Sequence, residues 1–210
     1  MVEGVIGAGK TTFCNVLGEL LKSKGYDLQV FREPIEEDDP TLKLFLSDCD
    51  KYAFFFQIHM MKKRIELYEK ALKLKSQGKI VIIDRSFRGD RVFEELFYRK
   101  GAITSNEHEY YLTCIKNIAN NIDKPDIILY LDVSVDDAMS RISARNRMNE
   151  TSAYNAEYIN TLKCLYDEIM NHGDNVIVID NTTSTAFANY KTNLRPALQE
   201  METLVKNLNI

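Results

Sequence analysis

The sequence predicts an α/β fold in which a parallel sheet of about five strands carries helices on both faces. Short apolar runs alternate with longer amphipathic stretches along the chain, which is the pattern of βαβ units. The run at 79–83 is almost continuously apolar, as expected of a strand buried on both faces of a parallel sheet. A single domain spanning residues 1–210 is expected, because a chain of this length can bury a full core.

The expected elements follow one another in a regular order. Apolar runs predict strands at residues 1–2, 26–31, 79–83, 127–131 and 176–179. Amphipathic stretches predict helices between and after them, at residues 11–23, 50–77, 106–122, 136–143, 157–170 and 185–208. Ser134 is a candidate N-cap for the helix at 136–143. The acidic stretch at 36–39, ended by Pro40, is expected to form a solvated loop.

Composition narrows the classes of function. The apolar content of 45% and the charged content of 28% are those of an ordinary soluble globular protein. A net charge of −4 argues against a general nucleic-acid binder. The four cysteines lie far apart without zinc-like spacing, so reduced thiols are expected. No apolar run is long enough to span a membrane and no targeting segment is visible, so a cytoplasmic location without a membrane partner is expected.

A phosphate-binding loop is predicted at the first strand-to-helix junction, where residues 4–11 fit G-x-x-x-x-G-K-[ST] in full. Glycines let backbone N–H groups turn towards phosphates, and the following helix adds its positive end. Lys10 would act as a catalytic charge on the β- and γ-phosphates, and Thr11 offers a hydroxyl to Mg²⁺. The expected phosphate-binding positions are Gly4, Gly7, Ala8, Gly9, Lys10, Thr11 and Thr12.

The loop predicts nucleoside triphosphate binding but does not separate a kinase from an ATPase or a GTPase. A GTPase would usually carry an N-K-x-D motif, and the NNID sequence at 120–123 lacks the lysine. A motor or helicase ATPase would be larger. A small chain with this loop near its start therefore favours a kinase for a small metabolite.

Two carboxylates follow predicted strands, at the sheet edge where α/β proteins bind ligands. Glu33 suits a base or a group that orients an acceptor hydroxyl, and a solvated turn residue before Pro34 is the alternative interpretation. Asp84 suits a direct or second-sphere Mg²⁺ carboxylate, and Arg85 could stabilise charge on the transferring group. The alternative for Asp84 and Arg85 is a local surface ion pair.

Gln57 and Arg64 are seven residues apart, which places them on one face of the predicted helix at 50–77. Gln57, beside Phe56, has a donor and an acceptor and could pair with the edge of a nucleobase. Arg64 would be costly to bury without a carboxylate, and Asp90 is the candidate partner. The alternative is that this aromatic stretch is core and Gln57 an ordinary polar neighbour.

A basic cluster is formed by Arg141, Arg145 and Arg147, in a segment at about 141–155 that we expect to act as a lid. Arg141 and Arg145 share a helix face. Poised over bound phosphates, such arginines could neutralise the oxygens of the transition state. A solvated helix end, where the dipole favours cations, is the alternative.

Five elements, in this order, resemble the deoxynucleoside kinase family, over the stretch from the phosphate loop to about Tyr166. They are EGVIGAGKTT at 3–12, REP at 32–34, YAFFFQ at 52–57, DRS at 84–86 and Arg141-x-x-x-Arg145-x-Arg147. One such element would be weak, whereas the ordered set is quite specific. The resemblance implies a P-loop kinase fold and transfer of the γ-phosphate of ATP, or of another nucleoside triphosphate, to the 5′-hydroxyl of a deoxynucleoside.

The resemblance also implies roles for single positions. Glu33 resembles the general base at the 5′-hydroxyl, and Arg85 the arginine beside that hydroxyl and the phosphates. Gln57 resembles the glutamine that pairs with the base, with Phe56 beside it in the substrate site. Asp84 is similar to the Mg²⁺ carboxylate. The lid arginines of the family correspond to Arg141, Arg145 and Arg147. Glu150 resembles the lid glutamate that holds the 3′-hydroxyl of the sugar.

Base preference and assembly follow from the same resemblance. Arg64 and Asp90 fall where deoxycytidine, deoxyguanosine and deoxyadenosine kinases have an Arg/Asp pair, whereas thymidine-accepting members have smaller or apolar residues. Such a pair crowds the space of a thymine methyl group. We therefore expect deoxyguanosine, deoxyadenosine or deoxycytidine to be preferred over thymidine. A homodimer through helices, including the one at 50–77, is also implied.

Some positions depart from the family pattern. Leu46 falls where a tyrosine helps to hold the 3′-hydroxyl. Glu94 falls where an aromatic residue is expected to stack on the base, with Phe93 and Phe97 close by. The loop at 87–89 also differs from the usual Ile/Tyr-containing stretch. The departures concern the sugar and base contacts rather than the phosphate loop.

Two other functions fit parts of the pattern. A nucleoside monophosphate kinase of the thymidylate kinase type shares the loop and the REP and DR motifs, but Glu33 would repel the phosphate of its acceptor. Gln57, Arg64 and Asp90 favour a nucleoside instead. The alternative of a degenerate nucleotide-binding protein without activity is opposed by four intact residues, Lys10, Thr11, Glu33 and Asp84. The expected small-molecule partners are a deoxynucleoside, a nucleoside triphosphate and Mg²⁺, with no nucleic acid.

Overall fold

A computed structural model of the chain describes residues 1–36, 38–145, 154–170 and 175–182. Within these residues, no helix is both long and apolar enough to cross a lipid bilayer. The helix predicted at 185–208 lies outside the described residues, as do Arg147, Glu150 and most of the predicted lid.

Five parallel strands form the centre of the described fold: β1 (Val2–Glu3), β2 (Leu28–Phe31), β3 (Ile80–Ile83), β4 (Ile128–Asp132) and β5 (Val176–Asp180). They do not form the single hydrogen-bonded sheet that the sequence predicted. β1, β4 and β5 form one sheet, and β2 and β3 form a separate two-stranded ladder. One parallel bridge between Val2 and Asp84 joins the two, giving the spatial order β2-β3-β1-β4-β5. The ladder is interrupted because β1 has only two residues before the chain turns into the glycine-rich loop.

The helices of the described residues are α1 (Lys10–Ser23), α2 (Pro40–Ser47), α3 (Cys49–Lys75), α4 (Phe87–Arg99), α5 (Ser105–Asn121), α6 (Val135–Arg145) and α7 (Ala156–Met170). Ser134 caps α6 as predicted, because its hydroxyl accepts a hydrogen bond from the Asp137 backbone N–H at 3.1 Å. The sequence analysis did not predict α2 or α4. Asp39 caps α2 by accepting from the backbone of Thr41 and Leu42, and Pro40 occupies the first turn.

Helices cover both faces of the strands, as predicted. Alternate side chains of a strand point to opposite faces. Ile80 and Ile82 of β3 pack into the large core that includes buried residues of α1, α6 and α7. Val81 and Ile83 join a second cluster with Tyr68 of α3 and with partly buried residues of α5.

The order of the strands determines where the loops meet. From β1 the chain passes to β2 and β3 on one side and then to β4 and β5 on the other. β1 is therefore the switch point of the sheet, and ligands of such folds bind at the carboxyl ends of the strands beside it. The residues that follow β1, β2 and β3 meet at this edge.

Candidate active site

A cavity of about 810 Å³ opens at the carboxyl ends of β1, β2 and β3. Most of the predicted site residues that the structure describes line it, namely Gly7, Lys10, Thr11, Glu33, Phe56, Gln57, Arg64, Asp84, Arg85, Asp90 and Arg145. Phosphate-loop, strand-end and α3 residues thus share one space, although they are far apart in the sequence. Gly4, Ala8, Gly9, Thr12 and Arg141 are not part of this lining.

The loop between β1 and α1 has the backbone conformation that its glycines allow. Gly7 and Gly9 have φ values of 81° and 87°, in the left-handed region that side chains with a Cβ rarely adopt. A Cβ at Gly7 would also lie 2.5 Å from the Ala138 carbonyl oxygen. Helix α1 begins directly after this loop, and the free backbone N–H groups at a helix start favour a bound anion.

Lys10 lies folded over this loop. Its Nζ donates hydrogen bonds to the carbonyl oxygens of Gly4, at 3.1 Å, and Val5, at 3.0 Å. The pKa of Lys10 is lowered from 10.5 to about 8, mainly by burial and secondly by the positive charge of Arg85. The ammonium is therefore a destabilised charge that a phosphate group would stabilise.

Thr11 and Asp84 approach each other from two elements. The Thr11 hydroxyl at the start of α1 donates to Oδ2 of Asp84, at the end of β3, over 2.5 Å. The other carboxylate oxygen, Oδ1, is buried and has no hydrogen-bond partner among the described residues. A hydroxyl and an unpaired carboxylate oxygen are hard donors of the kind that Mg²⁺ prefers, so these two residues fit a magnesium ion.

Glu33 lies between two arginines. Its Oε1 contacts the Nη2 of Arg64, and lies 3.2 Å from the Nε of Arg85. Burial by itself raises the pKa of Glu33, but Arg85, Arg64 and Lys10 outweigh it and lower the pKa to about 2. Glu33 is therefore an ionised hydrogen-bond acceptor at the edge of the cavity.

Arg64 also contacts Asp90, as the sequence analysis anticipated. Its Nη1 forms an ion pair with Oδ1 of Asp90, and both side chains are buried. Gln57 lies on the same face of α3 and is 3% exposed. Its Oε1 has no hydrogen-bond partner within the described parts of the chain. A buried amide of this kind is costly unless it is paired, so a ligand with a donor group would stabilise it.

Arg85 has two features that the sequence did not reveal. Its φ of 66° is the only positive value among the non-glycine residues described. Its Nη1 donates to the hydroxyl of Tyr166, in α7, at 2.5 Å. The Tyr166 hydroxyl in turn donates to the buried carboxylate of Glu3 at 3.3 Å. No motif spacing links these residues, because Tyr166 and Arg85 are 81 positions apart.

Arg141 contacts the back of the phosphate loop. Its guanidinium donates to the carbonyl oxygens of Ala8, at 3.2 Å, and Asn181, at 2.8 Å. The Asn181 side-chain amide donates to the same Ala8 oxygen at 2.6 Å. Asn181 thus joins the end of β5 to the loop, a contact that the sequence analysis missed. Arg145 is exposed and lines the cavity.

The positions that depart from the family pattern have distinct surroundings. Leu46 lines the cavity, as do the aromatic rings of Phe93 and Phe97. Glu94 is fully buried away from the lining, where its carboxylate accepts from Nδ1 of His108 at 2.9 Å. Phe93 and Phe97 therefore supply aromatic rings to the cavity wall, and Glu94 does not line the cavity.

The chain is similar to kinases of deoxynucleosides. A model of the deoxynucleoside kinase family matches residues 1–206. A deoxyadenosine kinase of Dictyostelium discoideum is 31% identical over 80% of this chain and 65% of its own length. A deoxyguanosine kinase of the same organism is 34% identical over 86% of this chain and 62% of its own length. The chain thus spans just under two thirds of the length of these two relatives.

Solved structures give the same result. A deoxyadenosine kinase from M. mycoides, described with the products dCMP and dCDP bound, superposes with a TM-score of 0.77 at 27% identity. The similarity covers 96% of this chain and 97% of that one. Thymidylate kinases also match the sequence, but more weakly.

Proposed function

The chain belongs to the deoxynucleoside kinase family, and from this premise we propose that it transfers the γ-phosphate of ATP, or of another nucleoside triphosphate, to the 5′-hydroxyl of a deoxynucleoside. The observation that carries the proposal is the position of Glu33. Its carboxylate faces the same cavity as Lys10 and Thr11 of the phosphate loop. A donor phosphate on the loop and an acceptor hydroxyl at Glu33 would therefore meet within one site.

Glu33 supports the reaction first by orienting the hydroxyl. With a pKa of about 2 it is ionised at any physiological pH and can accept a hydrogen bond from the 5′-hydroxyl. A carboxylate of such low basicity removes a proton poorly from an unactivated alcohol. Phosphoryl transfer proceeds through a loose transition state, however, so the hydroxyl becomes acidic only as it bonds to phosphorus. Glu33 then accepts the proton late.

Arg85 and Lys10 supply positive charge to the transferring group. Both side chains are buried, and the low local dielectric strengthens their interaction with phosphate oxygens. Nε of Arg85 lies 3.2 Å from Oε1 of Glu33, so an acceptor hydroxyl bound at Glu33 would bring the γ-phosphate close to this charge. Thr11 and Asp84 would hold Mg²⁺, which when bound neutralises charge on the β- and γ-phosphates.

The base of the acceptor is proposed to bind at Gln57, Arg64 and Asp90. The unpaired Gln57 oxygen accepts from an exocyclic amino group or a ring N–H. Arg64 and Asp90 are held against each other and fill the adjacent space, so a thymine methyl group would meet them. We therefore propose deoxyguanosine, deoxyadenosine or deoxycytidine as substrates in preference to thymidine.

The chemistry of the acceptor site favours this function over a thymidylate kinase. A monophosphate brings about two negative charges, and Glu33 would repel them at the position where Arg64 and Arg85 are already paired with it. The related M. mycoides kinase is described with a monophosphate and a diphosphate as products. These are the two products of one phosphoryl transfer from a triphosphate to a nucleoside.

We also propose a homodimer that uses α3. Phe55 of α3 and Tyr110 of α5 are large side chains that remain 55% and 60% exposed. Phe54 contacts the Tyr110 ring edge-to-face, with centroids 6.4 Å apart, so aromatic side chains of α3 and α5 lie next to each other. Burial of such a surface against a second copy would stabilise the pair.

The proposed function is tested with Mg²⁺-ATP against the four deoxynucleosides and their four monophosphates. Phosphorylation of deoxyguanosine, deoxyadenosine or deoxycytidine is expected, with thymidine poor. Glu33→Gln is expected to lower kcat by roughly 10²–10⁴-fold, because the acceptor for the hydroxyl proton is lost. Glu19→Gln, an exposed change on α1, is the matched control. Turnover of monophosphates alone would contradict the proposal, whereas thymidine as the best nucleoside would contradict only the assignment of Arg64 and Asp90.

A further inference from the structure

We propose that the hydroxyl of Tyr166, anchored by Glu3, is a positioning group that holds the guanidinium of Arg85 for phosphoryl transfer. This inference rests on the proposed kinase function, since it concerns the same site. It assigns a role to two buried residues that lie outside the cavity lining. Neither residue would touch the substrate, so both would act through Arg85.

Arg85 needs such support because its conformation is unusual. The residue has a left-handed backbone, with φ of 66°, a strained conformation that residues with a Cβ rarely adopt. Its side chain is almost fully buried, and the guanidinium carbon lies 4.6 Å from the centre of the Phe93 ring. A flexible arginine would not remain in this arrangement without partners on both its backbone and its head group.

The Tyr166 hydroxyl supplies a second head-group partner for Arg85, in addition to Glu33. It accepts from Nη1 of Arg85 at 2.5 Å and donates its single proton to Oε2 of Glu3 at 3.3 Å. Burial raises the pKa of Tyr166 well above its ordinary value, so the proton stays on the phenol. The direction of both hydrogen bonds is therefore fixed: Arg85 donates to Tyr166, and Tyr166 donates to Glu3.

Glu3 holds the backbone beside Arg85 as well. Its Oε1 accepts from the backbone N–H of Ser86, at 2.7 Å, and from the Ser86 hydroxyl, at 2.6 Å. Gly89 leaves room for the carboxylate, because a Cβ there would lie 2.4 Å from Oε2. One carboxylate thus anchors the chain next to Arg85 and, through Tyr166, the far end of its side chain.

A neutral hydroxyl has an electrostatic advantage at this position. Nε of Arg85 already faces the Glu33 carboxylate at 3.2 Å. A second carboxylate in direct contact would neutralise the guanidinium further and weaken its attraction for a phosphoryl group. Tyr166 fixes the geometry while leaving the net positive charge available, and it keeps the negative charge of Glu3 one hydrogen bond away.

Tyr166→Phe is the first test. The variant removes the hydroxyl and keeps the ring, which stacks on Tyr130 with centroids 5.5 Å apart. We expect kcat to fall about tenfold, the effect of one charge-assisted hydrogen bond, while KM for the deoxynucleoside changes less than about twofold. Tyr130→Phe is the matched control, since its hydroxyl faces Asp167 rather than Arg85, and its kcat is expected to stay within about twofold of wild type.

Coupling to Arg85 separates positioning from a structural role. In an Arg85→Lys background, Tyr166→Phe is expected to change kcat less than about twofold, because the group that it positions is gone. An equal tenfold loss in both backgrounds would overturn the proposal, and so would a Tyr166→Phe enzyme as fast as wild type. An equal loss in both backgrounds would mean that the Tyr166 hydroxyl supports the fold rather than the position of Arg85.

NMR of ¹⁵N-arginine-labelled protein decides the question without turnover. The Arg85 guanidinium is expected to rotate slowly in wild type and in Tyr130→Phe, and faster in Tyr166→Phe. Unchanged rotation in Tyr166→Phe would overturn the inference. If wild type phosphorylates no deoxynucleoside, the proposed function fails. In that case slow rotation that is lost in Tyr166→Phe would still support restraint of Arg85 by the hydroxyl.

Discussion

Lys10 is buried in surroundings that disfavour its charge, and this predicts a defined pH response of the proposed reaction. Its pKa of about 8 reflects burial first and the nearby Arg85 second. Phosphate binding needs the protonated form, so kcat/KM for ATP is expected to fall as the pH rises through about 8. A pH profile of initial rates at low ATP measures this directly.

The control for this profile is Lys10→Arg, because a guanidinium stays protonated throughout the range. Its kcat/KM is expected to be lower than that of wild type but level between pH 7 and about 9. The same lowered pKa acts on stability in the opposite direction, because the free energy of unfolding rises with pH in this range. Unfolded chains keep the lysine protonated up to its ordinary value of 10.5, so the penalty for burying the charge is relieved between about pH 8 and 10.5. A wild-type profile without a decline above pH 8 would contradict the assignment to Lys10.

Sequence reasoning found the residues whose spacing or motif carries a mechanism. Glu33 and Arg64 lie on separate predicted elements, yet both were selected for their position at a strand end or on a helix face, and the structure brings them into contact. Tyr166 and Glu3 were missed because they are single residues brought together by packing, 163 positions apart. Arg141 was predicted to contact phosphates, and its observed partners are backbone carbonyls, which no sequence pattern encodes.

Helix α4 was not predicted from hydrophobic periodicity, and its start is determined by an N-cap residue. Ser86 begins the helix by accepting a hydrogen bond from the backbone N–H of Arg88 at 3.1 Å. Gly89 lies in the first turn, where glycine weakens a helical pattern and hides it from sequence analysis. The structural reason for this glycine is Glu3, whose carboxylate occupies the space of a Cβ.

Gly89→Ala is therefore expected to destabilise the protein, although alanine is the better helix former. A Cβ 2.4 Å from Glu3 Oε2 forces either the carboxylate or the start of α4 to move. We expect the free energy of unfolding to fall by about 1–3 kcal/mol in urea denaturation. Gly18→Ala in α1 is the comparison, because its Cβ would meet side-chain methyl groups of Val30, at 2.8 Å, and Leu28, at 3.7 Å, rather than a carboxylate. An equal loss, or none, in both variants would exclude the carboxylate as the cause.

At the scale of the molecule, the alternation of strands and helices was enough to predict the α/β class and the two covered faces. The division of the strands into two groups was not predictable, because it depends on where β1 stops. The β1–β3 ladder is limited to the bridge between Val2 and Asp84. Beyond it, the Glu3 side chain accepts from the Ser86 backbone N–H, at 2.7 Å, and a side chain thereby continues the connection between the two groups of strands.

This junction predicts the effect of Glu3→Gln. Three donors converge on the two oxygens of Glu3, from the backbone and hydroxyl of Ser86 and from the hydroxyl of Tyr166. Glutamine offers only one acceptor oxygen, so at least one buried donor loses its partner and the free energy of unfolding should fall by about 1–3 kcal/mol. Hydrogen exchange at the Ser86 amide should also quicken relative to amides in β4 and β5, since the loss is local to the junction. Glu19→Gln is the matched control, and equal exchange at Ser86 in both variants would mean that the backbone bridge alone joins the two groups of strands.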